Sequence, residues 1–374
     1  MKRKKLGLIV TPIAGIGGRV GLKGSDGPEI LKRALELGAV PESPRRAVEA
    51  LRRLEPARES IEVVTYPDEM GESEARECGF APTVIGRVRA RETTAEDTES
   101  AAREMMRFGV ALIVFAGGDG TARNIYNAVG DRWPALGIPA GVKIHSAVYA
   151  TSPANAGELA LKYLRQAGSI PLRDAEVMDI DERAFRENRV SAELYGYLKV
   201  PYERNRVQSA KAGSATGDAV AMDEIACDVI NKMEDDTLYV IGPGTTTQAI
   251  MEKLEFQGTL LGVDVIQGKR SIGSDVNESQ LLKFAEDRRA RIIVTIIGGQ
   301  GYIFGRGNQQ ISARVIKKVG KENIMVVATE NKLLTLFGKD LLVDTGDPEI
   351  DDMLSGYVRV TTGLHRSIVC KVTR

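Results

Sequence analysis

Val110-Ala-Leu-Ile-Val-Phe-Ala116 leads directly into Gly117-Gly-Asp-Gly-Thr121, and Ala122-Arg-Asn-Ile-Tyr126 follows. The apolar run is typical of a buried strand, the glycines of a tight loop and the last segment of a helix. Glycines let backbone amides approach an anion without interference from a Cβ, and the helix start adds unpaired N–H groups and a positive dipole end. This stretch therefore predicts a phosphate-binding loop after a strand of an α/β sheet.

The loop contains one acidic residue, Asp119. A carboxylate at this position can hold a divalent cation or accept a proton from an attacking hydroxyl group. The structural alternative is a turn in which glycine supplies a positive φ and Asp119 caps the helix. At ordinary residue frequencies this pentapeptide should occur by chance in about one of a few thousand chains of this length. We therefore favour the functional interpretation, with phosphoryl transfer as the first hypothesis.

A second glycine-rich loop follows the short apolar strand 6–10. Residues 11–27 hold six glycines from Gly15 onward, a density that neither a helix nor a strand tolerates. The loop also carries Arg19 and Lys23, so it can wrap a nucleotide phosphate, and the alternative is a flexible surface loop. The candidate ligands here are Gly15, Gly17, Gly18 and Arg19.

A third small-residue loop follows the apolar run that begins at Leu136. Within it, Lys143 and Ser146 can reach the same anion as the first loop. His145 is expected to be a packed or surface histidine, because phosphoryl transfer depends on positioning and charge compensation more than on a histidine base.

The second half of the chain has two comparable loops. Pro243-Gly-Thr-Thr-Thr247 follows a predicted strand, and the long segment Gly298 to Asn308 follows another. Tyr302 and Phe304 are expected to be exposed in the longer loop, which suits a ligand site or a moving lid. The second-lobe candidates for substrate binding are Gly244, Thr245, Thr246, Gly299 and Asn308.

Strands alternate with predicted helices along both halves, for example the helix 43–54 and the helix that a capping box opens at Thr94. Such alternation predicts parallel sheets with helices on both faces, and ligands at the carboxyl ends of the strands. The sequence therefore predicts an α/β fold of two lobes, each a mostly parallel sheet flanked by helices, with a cleft between them. We expect the first domain to span residues 1–170 and the second residues 171–374, with substrate binding and oligomerisation as the expected roles of the second.

Composition narrows the classes of partner. The chain has 374 residues, and 51 Lys and Arg balance 51 Asp and Glu, so no overall charge attracts nucleic acid or an anionic membrane. Apolar runs fall short of the ~20 residues that span a bilayer, and the first five residues lead into a strand rather than a signal peptide. Three scattered cysteines and two histidines disfavour disulfides and structural zinc. We expect a cytoplasmic protein.

The glycine motifs resemble a known superfamily. Gly117 to Thr121 is similar to the signature of the superfamily that contains NAD kinases, diacylglycerol kinases and sphingosine kinases. Gly137-Ile-Pro-Ala-Gly141 resembles the second small-residue motif of the lipid and NAD kinases, and the loop at Thr11-Pro12 is similar to their first nucleotide loop. The resemblance is most specific over residues 6–165. Over its full length, the chain resembles the NAD kinase-like group that includes the acetoin-catabolism X proteins.

The resemblance implies a reaction and its residues. In that family the acid of the loop, here Asp119, activates the adenosine ribose 2′-hydroxyl of NAD and handles Mg²⁺, and ATP or polyphosphate is the phosphoryl donor. The candidate phosphate or pyrophosphate ligands of this loop are Gly117, Gly118, Gly120, Thr121 and Asn124. Well-characterised NAD kinases have a β-rich second domain with a nucleotide-binding Asn-Glu pair. Here the second half is predicted as alternating α/β, and Asn277-Glu278 is predicted to cap a helix.

Three functions remain open from the sequence. The leading one is a kinase that phosphorylates a small hydroxyl substrate, with NAD as the first choice of acceptor. The second is a kinase for another nucleoside or polyol. The third is a nucleotide or sugar-phosphate sensor without turnover, since Gly242 to Thr247 resembles sugar-phosphate loops. A sensor needs no acid in its phosphate loop, so Asp119 favours the enzyme. We expect small-molecule nucleotide substrates and a homo-oligomer.

Overall fold

The structure is a computed structural model that describes residues 3–22, 28–88, 93–165, 169–180, 192–203, 206–208 and 218–374. Lys23, the charged segment 181–187 and most of the expected exposed loop 204–218 lie outside the described residues. Within those residues, no helix combines the length and the apolar character that crossing a membrane would require.

The first lobe is built on a parallel sheet. In the described part of the chain its strand order is β3-β2-β1-β4-β5, and every neighbouring pair is parallel. The strands are β1 (Lys4–Val10), β2 (Ile61–Thr65), β3 (Thr83–Val84), β4 (Leu112–Gly117) and β5 (Ala135–Pro139). The helices are α1 (Pro28–Glu36), α2 (Ser43–Arg52), α3 (Glu72–Glu77), α4 (Ala95–Phe108), α5 (Asp119–Val129) and α6 (Pro153–Arg165).

Local sequence explains the central elements of this lobe. Every residue of β4 is buried, because helices cover both faces of a parallel sheet and its interior strands are continuously apolar. The predicted capping box of α4 is present: the Thr94 hydroxyl accepts from the Asp97 N–H at 3.3 Å, and the Asp97 carboxylate accepts from the Thr94 N–H at 2.8 Å. The helix ends at Gly109, whose φ of 76° is left-handed.

An antiparallel ribbon follows the first lobe and packs against it. It consists of β6 (Leu172–Ile180) and β7 (Ala192–Pro201). Its inward-facing residues, among them Val177 and Leu198, belong to the same buried apolar cluster as β1 and β4. The division of the chain after residue 170 remains a prediction, and this packing favours a division further along, before Asp218.

The second lobe contains a mixed sheet. Among the described residues its strand order is β10-β9-β8-β11-β13-β15-β16-β14-β12. The strands are β8 (Leu238–Ile241), β9 (Asp264–Gln267), β10 (Arg270–Gly273), β11 (Ala290–Thr295), β12 (Tyr302–Phe304), β13 (Ile324–Val327), β14 (Leu341–Val343), β15 (Gly356–Gly363) and β16 (Arg366–Thr373). The helices are α7 (Ala219–Asn231), α8 (Thr245–Lys253), α9 (Glu278–Phe284), α10 (Ala313–Val319), α11 (Glu330–Leu334) and α12 (Pro348–Leu354).

Most neighbouring strands of this second sheet are parallel, and the antiparallel pairs are β9 with β10, β8 with β9 and β15 with β16. The α/β fold with two mostly parallel sheets is therefore confirmed. Because β8 and β11 are parallel, the loops after Ile241 and after Thr295 lie at the same edge of the sheet. As predicted, Asn277 caps a helix, and its side chain accepts from the Gln280 N–H at 3.0 Å.

One expectation for this lobe is wrong. Tyr302 and Phe304 are buried, with 1% and 0% exposure, and they form β12 rather than an exposed loop. The glycines around them, Gly301 with φ 85° and Gly305 with φ 88°, make turns at both ends of this short strand. Because the segment is rich in glycine, the sequence did not predict this three-residue strand, whose side chains are all buried.

The lobes meet through a buried ion cluster. Arg46 of α2 donates to both carboxylate oxygens of Asp344, at 2.9 and 2.7 Å, and Arg306 donates to Asp344 Oδ2 at 2.6 Å. All three side chains are buried. Burial alone would lower the pKa of Arg46, but the Asp344 and Glu42 carboxylates more than offset it and raise that pKa, so the guanidinium stays charged.

Removing Asp344 should destabilise the chain strongly. Asp344→Ala leaves two buried guanidinium groups without their carboxylate, and the expected loss of unfolding free energy is about 3–5 kcal/mol in urea denaturation. Asp352→Ala is the matched control, because its pair with Arg374 is exposed, and it should change stability by at most about 1 kcal/mol. Equal effects of the two variants would contradict this interpretation of the cluster.

Candidate functional site

The predicted strand, loop and helix around Asp119 are present. β4 ends at Gly117, Gly118 is the N-cap residue, and α5 begins at Asp119. Since β1, β4 and β5 are parallel, the loops that follow Val10, Gly117 and Pro139 share the carboxyl edge of the sheet. The sequence thus located the loop correctly at the ligand-binding edge of an open α/β sheet.

The glycines of this loop permit close packing between neighbouring loops. A Cβ on Gly117 would lie 2.2 Å from Thr121 Oγ1, and one on Gly118 would lie 3.2 Å from Gly141 Cα. The Thr121 hydroxyl lies 3.0 Å from the hydroxyl of Thr11, at the start of the first glycine-rich loop. The loops after β1, β4 and β5 therefore form one packed unit.

Asp119 anchors the loop after β5. Its carboxylate oxygens accept the backbone N–H groups of His145 at 2.8 Å and of Ser146 at 3.0 Å, and the residue is 7% exposed. The His145 Nδ1 atom lies 3.6 Å from Asp119 Oδ2. An ionised carboxylate has about four acceptor positions, so the two backbone bonds leave positions for a proton or a cation.

Tyr149 stabilises the loop that contains Asp119, and the sequence analysis did not identify it. Its hydroxyl donates to the Gly118 carbonyl oxygen, and its ring contacts Phe115 edge-on at 5.5 Å between centroids. Burial raises the pKa of Tyr149 well above its ordinary value, and the charge of Asp119 adds to this, so the hydroxyl remains a neutral donor. A Cβ on Gly137 would lie 2.3 Å from this ring, which explains glycine there.

A cavity of about 510 Å³ lies between the lobes. Residues 143–145 of the first lobe form one wall, and the loop at Gly244 and Thr245 forms another. Lys143 reaches across the cleft, where its Nζ donates to the Leu261 carbonyl oxygen at 3.2 Å. The predicted cleft is therefore a cavity of the size that small-molecule sites occupy.

The structure brings some predicted residues to this cavity and not others. Lys143, Gly244, Thr245 and Asn308 line it. Asp119 and the other residues of its loop do not; they lie behind the segment 143–146. Asn124 is half-buried on α5, one turn further from the loop.

Other predicted residues face different surroundings. Gly15, Gly18 and Arg19 line a small separate pocket of about 30 Å³, and Gly17 is buried beside them. The Ser146 hydroxyl is buried and accepts from the Met178 N–H at 2.9 Å. Gly299 borders another cavity, of about 710 Å³.

Gln300 lies between the two large cavities and borders both of them. Its side-chain Nε2 donates to the Ile144 carbonyl oxygen at 3.0 Å, which ties it to the first lobe. Asn308, by contrast, uses its side chain within its own turn: it accepts from the Gly305 N–H at 3.0 Å and donates to the Ile303 carbonyl oxygen at 2.8 Å.

Several cavity residues carried no recognisable sequence signal. Lys332 donates from Nζ to the hydroxyls of Thr245 at 3.2 Å and Thr246 at 2.9 Å. Asp218 accepts from Thr329 Oγ1 at 3.1 Å and from Asn331 Nδ2 at 2.7 Å. Neither Lys332 nor Asp218 belongs to one of the glycine-rich motifs, so their position at the cavity is known only from the structure.

The described residues contain no group of three or more His, Cys, Asp and Glu side chains arranged to hold a metal ion. Single carboxylates suit Mg²⁺, which is usually bound by one or two carboxylates together with substrate phosphates. Asp119 has acceptor positions left for such an ion, and Asp218 borders the cavity.

The fold and the site define a two-lobed α/β protein with glycine-rich loops at the carboxyl edges of parallel strands and a cavity between the lobes. Two family models match the chain: the ATP-NAD kinase N-terminal domain over residues 6–167 and the ATP-NAD kinase C-terminal domain over residues 234–372. A search of curated proteins returned no match.

The chain therefore belongs to the NAD kinase-like family, as the resemblance indicated, and it is a phosphotransferase of the NAD kinase type. The second match also extends the resemblance beyond residues 6–165. The second lobe belongs to the same family. Its mostly parallel sheet agrees with the α/β second half that the sequence predicted.

Tyr149→Phe tests whether the hydroxyl of Tyr149 holds the Asp119 loop. The variant removes one buried hydrogen bond and should lower the unfolding free energy by about 0.5–1.5 kcal/mol in chemical denaturation. It should also increase amide hydrogen exchange at residues 117–121. Tyr163→Phe on α6 is the control, and equal exchange at these amides in both variants would exclude this role.

Proposed function

We propose that this protein transfers a phosphoryl group from ATP or polyphosphate to the adenosine 2′-hydroxyl of NAD and thereby forms NADP. The observation that supports this proposal is the position of Asp119. It is the first residue of the helix that follows a glycine-rich loop, in a chain that belongs to the NAD kinase-like family. Family membership supports the type of reaction, and the identity of acceptor and donor is our proposal. A cytoplasmic location and a homo-oligomeric state are proposed with it.

Asp119 is the proposed proton acceptor. As the new O–P bond forms, the hydroxyl proton moves to a carboxylate oxygen of Asp119, and the bond from the donor's terminal phosphorus to its bridging oxygen breaks. Direct transfer requires the acceptor hydroxyl to reach Asp119 past His145, which lines the cavity with its Nδ1 atom 3.6 Å from Asp119 Oδ2. Lys143, on the same wall, supplies positive charge for the phosphates.

Mg²⁺ is the proposed cofactor. The Asp119 carboxylate has acceptor positions that the two backbone N–H groups do not occupy, so it can supply one ligand to the ion. Phosphate oxygens of the substrates would supply further ligands. When bound, the ion neutralises charge on the transferred phosphoryl group. Of the loop residues, the backbone amides of Gly117, Gly118, Gly120 and Thr121 and the neighbouring Asn124 are the proposed phosphate contacts.

The second lobe is proposed to bind part of the substrate. Gly244, Thr245 and Asn308 line the cavity, and Thr246 shares the Lys332 ammonium group with Thr245. Gly299 is the least supported candidate, because it borders the other large cavity.

A sensor without turnover is the second candidate function. The observation that favours it is that the loop at Gly244 and Thr245 lines the cavity, whereas Asp119 lies behind residues 143–146. A panel of NAD, NADH, nucleosides and polyols, each incubated with ATP or polyphosphate, separates the candidates. A new phosphorylated product supports a kinase and identifies its acceptor, and ligand binding without any product supports the sensor.

Asp119→Asn should reduce phosphoryl transfer by roughly 10²–10⁴-fold, because the amide has almost no basicity. Asparagine can accept only one of the two backbone N–H groups, so the variant should also lose about 1–3 kcal/mol of stability. The assay therefore needs circular dichroism to verify folding at the assay temperature. Glu96→Gln, an exposed change on α4, is the control. Half of the wild-type rate in folded Asp119→Asn would restrict Asp119 to a structural role.

Thr245→Val should raise the KM for donor or acceptor several-fold, because it removes a cavity hydroxyl at nearly constant volume. The hydroxyl accepts from Lys332 in a half-buried position, so stability should fall by no more than about 1 kcal/mol. Thr83→Val, on the edge strand β3, is a control far from the cavity. Unchanged KM values for every productive substrate would remove Thr245 from the binding site.

A further inference from the structure

We propose that the cavity holds a phosphate group of its ligand at the N-terminus of α8, between Thr295, Arg306 and Lys332. This rests on the proposed function only in taking the ligand to be a nucleotide or a polyphosphate. The site lies in the second lobe, apart from Asp119 and its loop. The start of α8 was already a predicted candidate, whereas the side chains of Thr295, Arg306 and Lys332 were not.

Two sources of positive potential lie side by side at this position. The first turn of α8 has no acidic residue, and its N-cap residue, Gly244, has no side chain with which to cap the helix. The Lys332 ammonium group lies against the same turn, 2.9 Å from Thr246 Oγ1. A cation beside the positive end of a helix is unfavourable by itself, and an anion that faces both makes the arrangement favourable.

Thr295 supplies a hydroxyl at the same position. It is the last residue of β11, it lines the cavity, and it is 7% exposed. Within the described ranges, its Oγ1 has no hydrogen-bond partner. Gly244, the N-cap residue of α8, has a φ of 136°, and a Cβ there would lie 2.4 Å from Thr295 Cγ2. Glycine therefore lets the helix start approach Thr295, whose hydroxyl is a donor for a bound oxyanion.

Arg306 supplies a guanidinium group on another wall. It is 3% exposed and lines the cavity, and its Nη2 donates to Asp344 at 2.6 Å, which fixes its orientation. Among the described residues, its Nε–H has no acceptor. A buried guanidinium N–H without an acceptor is costly, and a phosphate oxygen is a strong acceptor for it.

The charges that line the cavity select an anion. Lys143, Arg306 and Lys332 are the described cationic residues there, and Asp218 is the described acid. Asp218 already accepts hydrogen bonds from Thr329 and Asn331. A cavity of about 510 Å³ has room for more than one phosphate group. The expected ligand is thus a phosphorylated molecule whose remaining part extends along the cavity.

Calorimetric titration of the full chain with inorganic phosphate, tripolyphosphate, ATP and NAD tests the proposal. Thr295→Val keeps the volume and removes only the hydroxyl, and it should weaken binding of at least one of these ligands about tenfold. Lys332→Gln should weaken it at least as much and reduce its salt dependence. The ligand that responds identifies whether the phosphate comes from the free ion, a polyphosphate or a nucleotide.

Two controls match these variants. Thr362→Val removes another buried hydroxyl that has no described partner, but Thr362 does not line the cavity. Lys317→Gln removes an exposed charge on α10. Both should bind like the wild type. Wild-type affinity in both Thr295→Val and Lys332→Gln, or no binding of any of the four probes, would overturn the proposal.

Ligand binding and product formation test the phosphate site and the kinase function separately. If Thr295→Val weakens binding but no acceptor is ever phosphorylated, the phosphate site stands and the proposed kinase function fails. If product forms while binding is indifferent to both variants, the kinase function stands and this phosphate site fails.

Discussion

A buried carboxylate, Asp344, is shared by arginines from both lobes and constrains how the lobes are arranged. Arg46 reaches it from α2, and Arg306 reaches it from the turn after β12. Desolvating three charged groups is expensive, so the pairing is favourable only when all three are in register. The cluster therefore specifies one position of the lobes, and through Arg306 it also fixes one wall of the cavity.

Glycine serves two different purposes in the two lobes. In the first lobe, Gly118 packs against Gly141, and Asp119 uses its carboxylate to hold the segment that carries Lys143. In the second lobe, Gly244 brings a helix start to the cavity itself. In our proposals the first lobe positions the catalytic candidate, and the second lobe presents donors to the ligand. A kinase needs both, because phosphoryl transfer depends on positioning together with charge compensation.

The sequence predicted the features that depend on local chemistry. The glycine loop after β4, the capping box at Thr94 and the cap at Asn277 follow from residues within a few positions of one another, and all three are present. Features that depend on residues far apart in the sequence were not predicted. The hairpin of β15 and β16 turns at His365, with φ 54° and without a glycine-rich signal. Arg306 and Lys332 reach the cavity only through the tertiary fold, which no spacing in the sequence encodes.

Gln300 has a consequence for the length of ligand that the protein can accept. Gln300 borders both large cavities, and its side-chain bond to the Ile144 carbonyl oxygen ties the second lobe to the first. The two cavities thus have this residue in common. A ligand confined to the cavity of about 510 Å³ must be compact, whereas a linear chain of repeating anionic units that extended into the other cavity would pass Gln300.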